Sequence, residues 1–545
     1  MGLQATVSRR GYLPYILLAV TSALYLYPFV RVLWRIGDEG TLVYGAQRVA
    51  EGAVPYRDFF EVMGPGSFYW LGFFFKIFGT SWMVARVLLL ITAVATTLIV
   101  YWLARRLDSA FAALPAVMTL VLTIPLWAAT NHHWDSNLFA LLAFAAFLSW
   151  LDRSKRWLLI GAGVLSGVTT LFMQQKGLLW LLALVLTLWA LRRGQPDFLP
   201  SVVRLVAGYA SVVAAEVLGF YLAGALPDFF YANVIWPISN YRNVNSVPYA
   251  FGLRGLFWSS WVDSLLLLFR PSAAHIVADL FLLPFLAIVG LPVLLLGLAV
   301  TRRAAAFSPA TLPYWIAGFA LWFSEIHRSD VNHLIYGSPV LLVLCVYLCG
   351  QRQNRFWRYA VRALAFSIVL FAAFDALVAQ AARTKIITRR GTVYVHVADA
   401  ALDFLDQQVK AGEEVFVYPY YPMYYFLSGA ANPTKFSILM YHINTEAQFR
   451  EAVAALERRK VKYVLWDGPV DGQNLKNWFP AYQQPSQDKL IIEPYLTEHY
   501  DLLGYRNGFR LLRRKESSES AIREFQPRAA GAVSPVRFSM VWGGL

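Results

Sequence analysis

Apolar residues in this chain are gathered into long runs, with polar residues confined to short breaks between them. A helix of about 20 apolar residues spans the hydrocarbon core of a bilayer. Length and hydropathy predict about eleven such spans, near residues 12–34, 82–104, 109–129, 135–151, 157–173, 177–191, 200–226, 276–300, 309–324, 334–350 and 357–381. Between the first two spans the pattern changes. Leu42, Val43, Ala46, Val49 and Ala50 recur at helical spacing, which predicts an amphipathic helix over 41–51 lying on the membrane. Gly52, Pro55, Gly64, Pro65 and Gly66 then break the chain. Residues 67–78 are apolar and aromatic but short for a span, so they read as interfacial or re-entrant.

The loop 227–275 repeats that aromatic character with Phe229, Phe230, Tyr231, Trp236, Tyr241, Phe257, Trp258 and Trp261, residues that favour the headgroup level. From about residue 385 the runs give way to helical patterns over 398–410, 424–427 and 446–459 and to strand patterns over 414–418 and 463–466. Such mixing predicts a small α/β domain. The expected organisation is a membrane domain over 1–384 with outer loops 35–81 and 227–275, an α/β domain over 385–514, and a flexible tail over 515–545.

Composition agrees with a multi-pass α-helical membrane protein. Of 545 residues, 58% are hydrophobic and 15% charged, against about 25% charged in soluble domains. The net charge of +15 does not point to nucleic acid, because the cations sit in alternate short loops. Arg105-Arg106, Arg153 with Lys155 and Arg156, Arg192-Arg193, Arg302-Arg303, and Arg352, Arg355 and Arg358 all fall on one side, as the positive-inside rule requires. That side is the cytoplasm. An odd number of spans then places the C-terminal domain outside. Arg9 and Arg10 precede an apolar run too long for a cleaved signal, so the first span is expected to be retained. Cys345 and Cys349 lie one helical turn apart in an apolar run and read as packing residues.

The candidate chemistry collects on the outer side. Asp38 and Glu39 follow the first span. Acids favour helix N-termini, so simple capping competes with catalysis. Helical neighbours point about 100° apart, so one can act while the other holds a partner. Asp58 and Glu61 lie in the same loop, close to Tyr56 and Arg57. His132, His133 and Asp135 follow Asn131; adjacent histidines are poorly placed to chelate one ion, and hydrogen bonding to a sugar or phosphate fits equally well. Lys176 is a lone cation that either snorkels or meets a phosphate. The loop holding Arg328, Asp330 and His333 packs cation, acid and imidazole together, a combination suited to a phosphate leaving group.

Taken together, this layout resembles the GT-C glycosyltransferases, specifically the bacterial relatives of protein O-mannosyltransferases and of the aminoarabinose transferase that modifies lipid A. The resemblance rests on Asp38-Glu39, on Pro55 to Glu61 with Pro65-Gly66 and Tyr69-Trp70-Leu71, on Lys176-Gly177, and on Arg328 to His333 followed by Tyr336 to Pro339. It implies inverting transfer of a sugar from a polyprenyl-phosphate carrier to a lipid, polysaccharide or protein acceptor outside the bacterial cytoplasmic membrane. Asp38 would be the general base with Glu39 beside it, and Lys176, Arg328 and His333 would meet the leaving phosphate. No cofactor is implied; acids and histidines are present, but the branches it most resembles work without a bound metal. Relatives often carry a Lys before two prolines where this chain has Val62-Met63-Gly64-Pro65, so either another cation, such as Lys176 or Arg57, takes the phosphate, or the donor differs from that of the better-known branches. The main rival is a transporter or flippase of lipid-linked sugars. Transporters place charge at mid-membrane on broken helices, whereas these charges gather at outer span ends and no paired breaks stand out. A non-catalytic scaffold would leave the several acids and bases on one side unexplained.

Overall fold

The computed structural model describes residues 11–33, 37–241, 246–253, 273–301, 306–350, 355–467, 479–483 and 485–515. In chain order the first half forms α1 (Leu13–Arg31), α2 (Gly37–Ala50), α3 (Pro65–Phe78), α4 (Trp82–Arg106), α5 (Ala113–Leu122), α6 (His132–Arg153), α7 (Arg156–Phe172), α8 (Gln174–Arg192) and α9 (Phe198–Leu222). Of these, α1, α4, α6, α8 and α9 are long and apolar enough to cross a membrane, as is the Arg355–Ala381 helix. Leu13, Ile16, Leu17, Val20 and Leu24 on α1, and Leu178, Leu182, Leu186 and Trp189 on α8, remain exposed at helical spacing. Water would not tolerate such stripes on a folded protein, but lipid does. The inner faces pack Phe144, Phe147, Trp180, Tyr314 and Leu341 into one core, which also takes in Cys345 and Cys349.

Among the described residues, six helices therefore qualify as spans, and up to eight if each bent pair is one span. The expected count of eleven is not reproduced: α5 has 10 residues and α7 has 17. The bent pairs also correct the expectation that no broken helices occur. One breaks by 70° between Val289 and Leu291, the other by 72° between Val331–Gly337 and Pro339–Cys349. In the second, Pro339 lacks the amide proton needed to continue the preceding helix and opens the next. Arg302, Arg303 and Arg352 of the expected inner loops, and Phe257, Trp258 and Trp261 of the expected outer one, lie outside the described residues, as do residues 516–545.

The change of composition near 385 falls at a strand. A hairpin of β1 (Thr384–Thr388) and β2 (Gly391–Val395) precedes a four-stranded sheet of β3 (Val415–Tyr418), β4 (Tyr463–Asp467), β5 (Tyr500–Arg506) and β6 (Phe509–Arg514), ordered β3-β4-β6-β5. β3 and β4 run parallel and the other pairs antiparallel. The helices Ala400–Gln408, Met423–Ser428, Glu446–Arg459 and Ile492–His499 accompany the sheet. The Glu446–Arg459 helix starts at a capping box, in which Thr445 and Gln448 satisfy each other's backbone N–H.

This region does not hang free of the helices. Leu42, Val43 and Ala46 of α2, Phe75 of α3 and Trp82 of α4 share one apolar core with Val393, Val417, Tyr425, Phe426, Leu465 and Leu511. Main-chain bonds fasten the seam: the N–H groups of Leu33, Phe60 and Trp82 donate to the carbonyls of Tyr394, Lys435 and Arg390 at 2.8, 2.9 and 2.8 Å. The amphipathic helix expected on the membrane surface is therefore corrected. Ten of the 14 residues of α2 are buried. Its polar face is covered by protein: the Tyr44 hydroxyl accepts from Asn432 N–H at 3.0 Å, and its ring packs on Tyr425 at 5.1 Å.

Candidate functional site

Asp38 and Glu39 occupy the first turn of α2, and glycines flank them because the C-terminal region lies directly on that turn. A Cβ on Gly37 would sit 2.4 Å from the Tyr420 ring, and one on Gly40 would sit 2.2 Å from the Met423 nitrogen. With the glycines in place, the Tyr420 hydroxyl donates to Asp38 Oδ1. Asp38 remains exposed. Its neighbour points into the protein: Glu39 is fully buried, and its Oε2 takes Arg86 Nη2 at 2.8 Å while its Oε1 takes Thr130 N–H at 2.8 Å. The divergence expected of helical neighbours is thus realised, and it removes Glu39 from the reacting surface.

The second acidic motif divides in the same way. Tyr56 is buried at φ +73°, donates to the Met63 carbonyl at 2.7 Å and packs on Phe220 and Phe229. Arg57 and Asp58 form a two-point pair at 2.9 and 2.8 Å. Asp58 Oδ2 also accepts from Val54 N–H at 2.7 Å, and Arg57 donates to the Ala223 carbonyl at 2.8 Å. These three expected substrate contacts instead hold the loop's shape. Gly64, where relatives carry a proline, is explained by packing: a Cβ there would meet the Leu171 carbonyl oxygen at 2.3 Å, so the end of α7 requires glycine. Glu61 is different. It is 4% exposed and close enough to Asp38 to sense its charge. Burial pushes its carboxyl up to about 8, although a hydrogen bond with Ser437 opposes this. Glu61 is therefore mostly protonated at neutral pH and able to donate.

Across the site, α6 begins at Asn131, whose side chain caps His133 N–H at 2.9 Å. His133 Nδ1 lies 3.0 Å from Glu325, and Lys176 Nζ lies 2.6 Å from the same carboxylate. Lys176 also donates to Ser136 Oγ at 2.9 Å and Asn137 Oδ1 at 2.7 Å. Its three protons are thus spent inside the protein and its side chain is fully buried. Lys176, expected to meet a phosphate, lies here as a buried countercharge for Glu325. Asp135 is likewise drawn inward to Thr92, tying α6 to α4, and His132 lies against His133 with ring centres 4.2 Å apart.

Arg328, Asp330 and His333 form a chain at the edge of this cluster. Arg328 Nε reaches Asp330 at 2.6 Å, and His333 Nδ1 reaches it at 2.7 Å. Burial alone would raise the Asp330 carboxyl, but His333 and then Arg328 hold it well below the usual range. The His333 ring meets His133 at 4.9 Å, and the Tyr336 ring stacks on His133 at 4.5 Å. Tyr336 lies within electrostatic reach of Asp38, Glu325 and Asp330, and so links the two halves of the site. His133, Glu325 and His333 each offer a ligand atom, all within 4.8 Å of one another. Lys176 already neutralises that carboxylate, and its charge opposes a second cation there.

The structure therefore gathers Asp38, Glu61, His133, Arg328, Asp330 and His333, and it withdraws Glu39, Tyr56, Arg57, Asp58, Asp135 and Lys176 into supporting contacts. Sequence reasoning missed Glu325, Arg86 and Tyr420. Glu325 carried the same signal that singled out Asp38, a carboxylate where an apolar run ends. Arg86 lies inside a span, where a charge implies a buried partner.

No family model matches the chain, and no curated protein matches it. Among solved structures it is similar to ArnT from Cupriavidus metallidurans bound to undecaprenyl phosphate, at 13% identity and a TM-score of 0.53, covering 92% of this chain and 98% of that one. The same protein in the apo state gives 14% identity and a TM-score of 0.51 over 92% and 98% of the two chains. A weaker likeness, with a TM-score of 0.47 and 12% identity over 93% of this chain and 74% of the other, is to the Archaeoglobus fulgidus oligosaccharyltransferase. At these identities the likeness is one of fold.

Two outcomes follow from the buried charges. Arg86→Met leaves the buried Glu39 carboxyl without its countercharge, so thermal denaturation in detergent should show a loss of about 3–5 kcal/mol. Adding Glu39→Leu should restore most of it, and an equally unstable double variant would contradict the pairing. Burial in the folded chain pushes the Glu61 carboxyl up to about 8 from its ordinary value near 4.5. The stability tied to its burial is fully present below about pH 4.5 and lost as pH rises through 8. Relative to Glu61→Gln, the native chain should weaken across that window by at most about 1.4 kcal/mol per pH unit. A constant difference from pH 4.5 to 8 would place Glu61 in water.

Proposed function

We propose that this chain, which has the GT-C fold of the ArnT structures, is a membrane glycosyltransferase that moves a sugar from a polyprenyl-phosphate carrier to an acceptor outside the cytoplasmic membrane. The observation that carries the reading is Asp38: an exposed carboxylate, fixed by Tyr420 and within electrostatic reach of Tyr336, as is Asp330, the partner of Arg328 and His333. The proton bound by Tyr420 occupies Oδ1, which leaves Oδ2 to take the proton of an acceptor hydroxyl. As that proton moves, the acceptor oxygen attacks the anomeric carbon from the face opposite the phosphate. The carbon–oxygen bond to the phosphate breaks, the anomeric centre inverts, and polyprenyl phosphate departs.

Charge grows on the phosphate as it leaves, and Arg328 with His333 is placed to meet it. Arg328 thereby supplies the cation that Met63 does not. Glu61, protonated beside Asp38, cannot compete as base and is suited to donate a hydrogen bond to a sugar oxygen. Lys176 acts through Glu325 and His133 by fixing His133 against Tyr336. No metal enters this scheme, since Lys176 holds the position where its charge would act.

The two bent spans favour a second reading, a transporter of lipid-linked sugars, because transporters build sites at such breaks. Chemistry separates the two. Asp38→Asn should lower sugar transfer from undecaprenyl-phosphate donors by about 10²–10⁴-fold while leaving the melting temperature unchanged; near-normal turnover would remove Asp38 as base. The proposed orientation is N-terminus inside and α/β region outside. Because Cys345 and Cys349 are buried, introduced cysteines report sidedness. In intact cells an impermeant maleimide should label Ser486→Cys and spare Ser154→Cys; the reverse pattern would invert the topology.

A further inference from the structure

Beyond the acid at its start, α2 carries a second set of polar groups at its other end. Tyr44, Gln47 and Glu51 are spaced three and four residues apart, so they project from one helical face. The Glu51 N–H donates to the Gln47 carbonyl at 3.0 Å, which carries the helical turn past Ala50. These three side chains line a cleft of about 280 Å³. Arg389 and Arg390, in the turn between β1 and β2, form another wall, and small residues at 411–412 and 429–431 complete it. The cleft opens outward: Glu51, Ala411 and Gly412 are exposed at its rim, while Tyr44, Gln47 and Ala430 are buried at its base. Its walls are held in place. Arg389 donates to the carbonyls of Ser428 and Val409, both at 2.6 Å, and the Arg390 carbonyl accepts from Trp82 N–H at 2.8 Å.

Two polar atoms of this lining have no hydrogen-bond partner among the described residues, Gln47 Oε1 and Arg390 Nε. Gln47 is only 6% exposed, and its Nε2 donates to Glu51 Oε1 at 2.9 Å. A carboxylate accepts and does not donate, so Glu51 sets which end of the amide is left over, and that end is the acceptor. Arg390 Nη2 stands 4.0 Å from the same carboxylate oxygen, beyond hydrogen-bond reach. A buried polar group without a partner costs free energy, and such groups are almost always satisfied in folded proteins. Leucine would fill the position of Gln47 without that cost. Both side chains line the cleft and turn on several single bonds, so a ligand entering it has only to reorient them.

We infer that this cleft binds a neutral saccharide unit, with Glu51 and Gln47 accepting from its hydroxyls and Arg390 donating to them. The lining selects the ligand class. Glu51 opposes an anion, and the two arginines oppose a cation. A hydroxyl both donates and accepts, so neighbouring hydroxyls on a sugar ring match a wall on which donor and acceptors stand side by side. A peptide strand instead spreads its amide groups along an extended chain, which suits a long groove better than a compact cleft. Position assigns the sugar. Gln47 and Glu51 follow Asp38 by nine and thirteen residues, roughly 14 and 20 Å along a helix. A single donor sugar reacting at Asp38 does not extend that far. The cleft therefore takes a remote unit of a glycan acceptor, an assignment that rests on the transferase reading.

The test compares the native chain, Gln47→Leu and Ala411→Trp in a detergent without a sugar headgroup. Leu keeps the size of Gln47 and removes its amide; Trp at the exposed rim fills the entrance and leaves every polar group in place. The probes are neutral methyl oligosaccharides of glucose, galactose and mannose, and a neutral capped tripeptide, read by saturation-transfer NMR. Phosphatidylethanolamine and phosphatidylglycerol are read by native mass spectrometry. The native chain should bind at least one oligosaccharide. Gln47→Leu should weaken that binding about tenfold, Ala411→Trp should abolish it, and both variants should melt as the native chain does. A native chain that binds no oligosaccharide, or binding that both variants leave intact, overturns the subsite. So does a tripeptide or lipid headgroup that Ala411→Trp displaces where no sugar binds. Transfer activity is read separately. Sugar binding that depends on Gln47 in a chain without turnover would sink the transferase and keep the subsite; turnover without such binding would do the reverse.

Discussion

The buried pair of Glu39 and Arg86 is the constraint on which the site depends. Arg86 lies inside a span, where a lone guanidinium is costly, and Glu39 is fully buried one residue from the proposed base. Neither can be alone. The guanidinium also donates to the carbonyls of Ala128 and, at 3.2 Å, Val32, and it lies 4.1 Å over the Trp82 ring. One side chain therefore joins the end of α1, the start of α2, α4 and the approach to α6. A buried ion pair is weak grounds for stability, since apolar residues would often serve as well. Its value here is geometric. With Glu39 pinned inward, the helical turn leaves Asp38 one direction, which is outward toward Tyr420.

The opposite half of the site repeats this logic. Lys176 and Glu325 are both inaccessible and 2.6 Å apart, so their charges cancel where no ligand reaches them. What they hold is His133, on whose ring Tyr336 stacks. The more accessible Arg328, Asp330 and His333 stand at the edge of that platform. Each half thus pairs a buried ion pair with a neighbouring polar group left to act, and rigid support of this kind is what a reacting group needs to hold its geometry. The C-terminal region closes the arrangement from above. It shares a core with α2 and α4, and Tyr420 itself is buried with Met440 and Tyr482.

Much of this was legible in the sequence. Apolar runs long enough to span, basic loops and the change at 385 depend on composition averaged over many residues, and averages survive local surprises. The α/β elements were legible for the same reason. The surface placement of α2 was not, because its periodicity shows an apolar face without naming what covers the other one; here Met423 and Tyr425 of the C-terminal region do so, about 380 residues away in sequence. Span counts failed where helices fall short or bend, as at Pro339. Within the site, residue type revealed that charge was present but not whether it was spent. Lys176 and Arg328 look alike in sequence; only packing shows that one is enclosed by Glu325, Ser136 and Asn137 and that the other is paired with Asp330.

The substitution at Met63 and Gly64 sharpens the same point. A lysine before a proline would bring charge and a stiff backbone to the loop after Glu61. In this chain α7 approaches too closely for any side chain at 64, and the Met63 carbonyl is taken by the buried Tyr56 hydroxyl. That loop is accordingly fixed by packing. Arg48 lies within electrostatic reach of Glu61, but burial outweighs its charge and leaves Glu61 mostly protonated at neutral pH. Positive charge enters instead from the far side, through Arg328. On the proposed transfer reaction, the two demands are separated: a neutral donor, Glu61, lies beside the proposed base, and Arg328 is the cation proposed to meet the leaving group. A lysine next to Glu61 would ionise that carboxyl and set a second anion against Asp38, so its absence is consistent with a carboxyl that works in its neutral form.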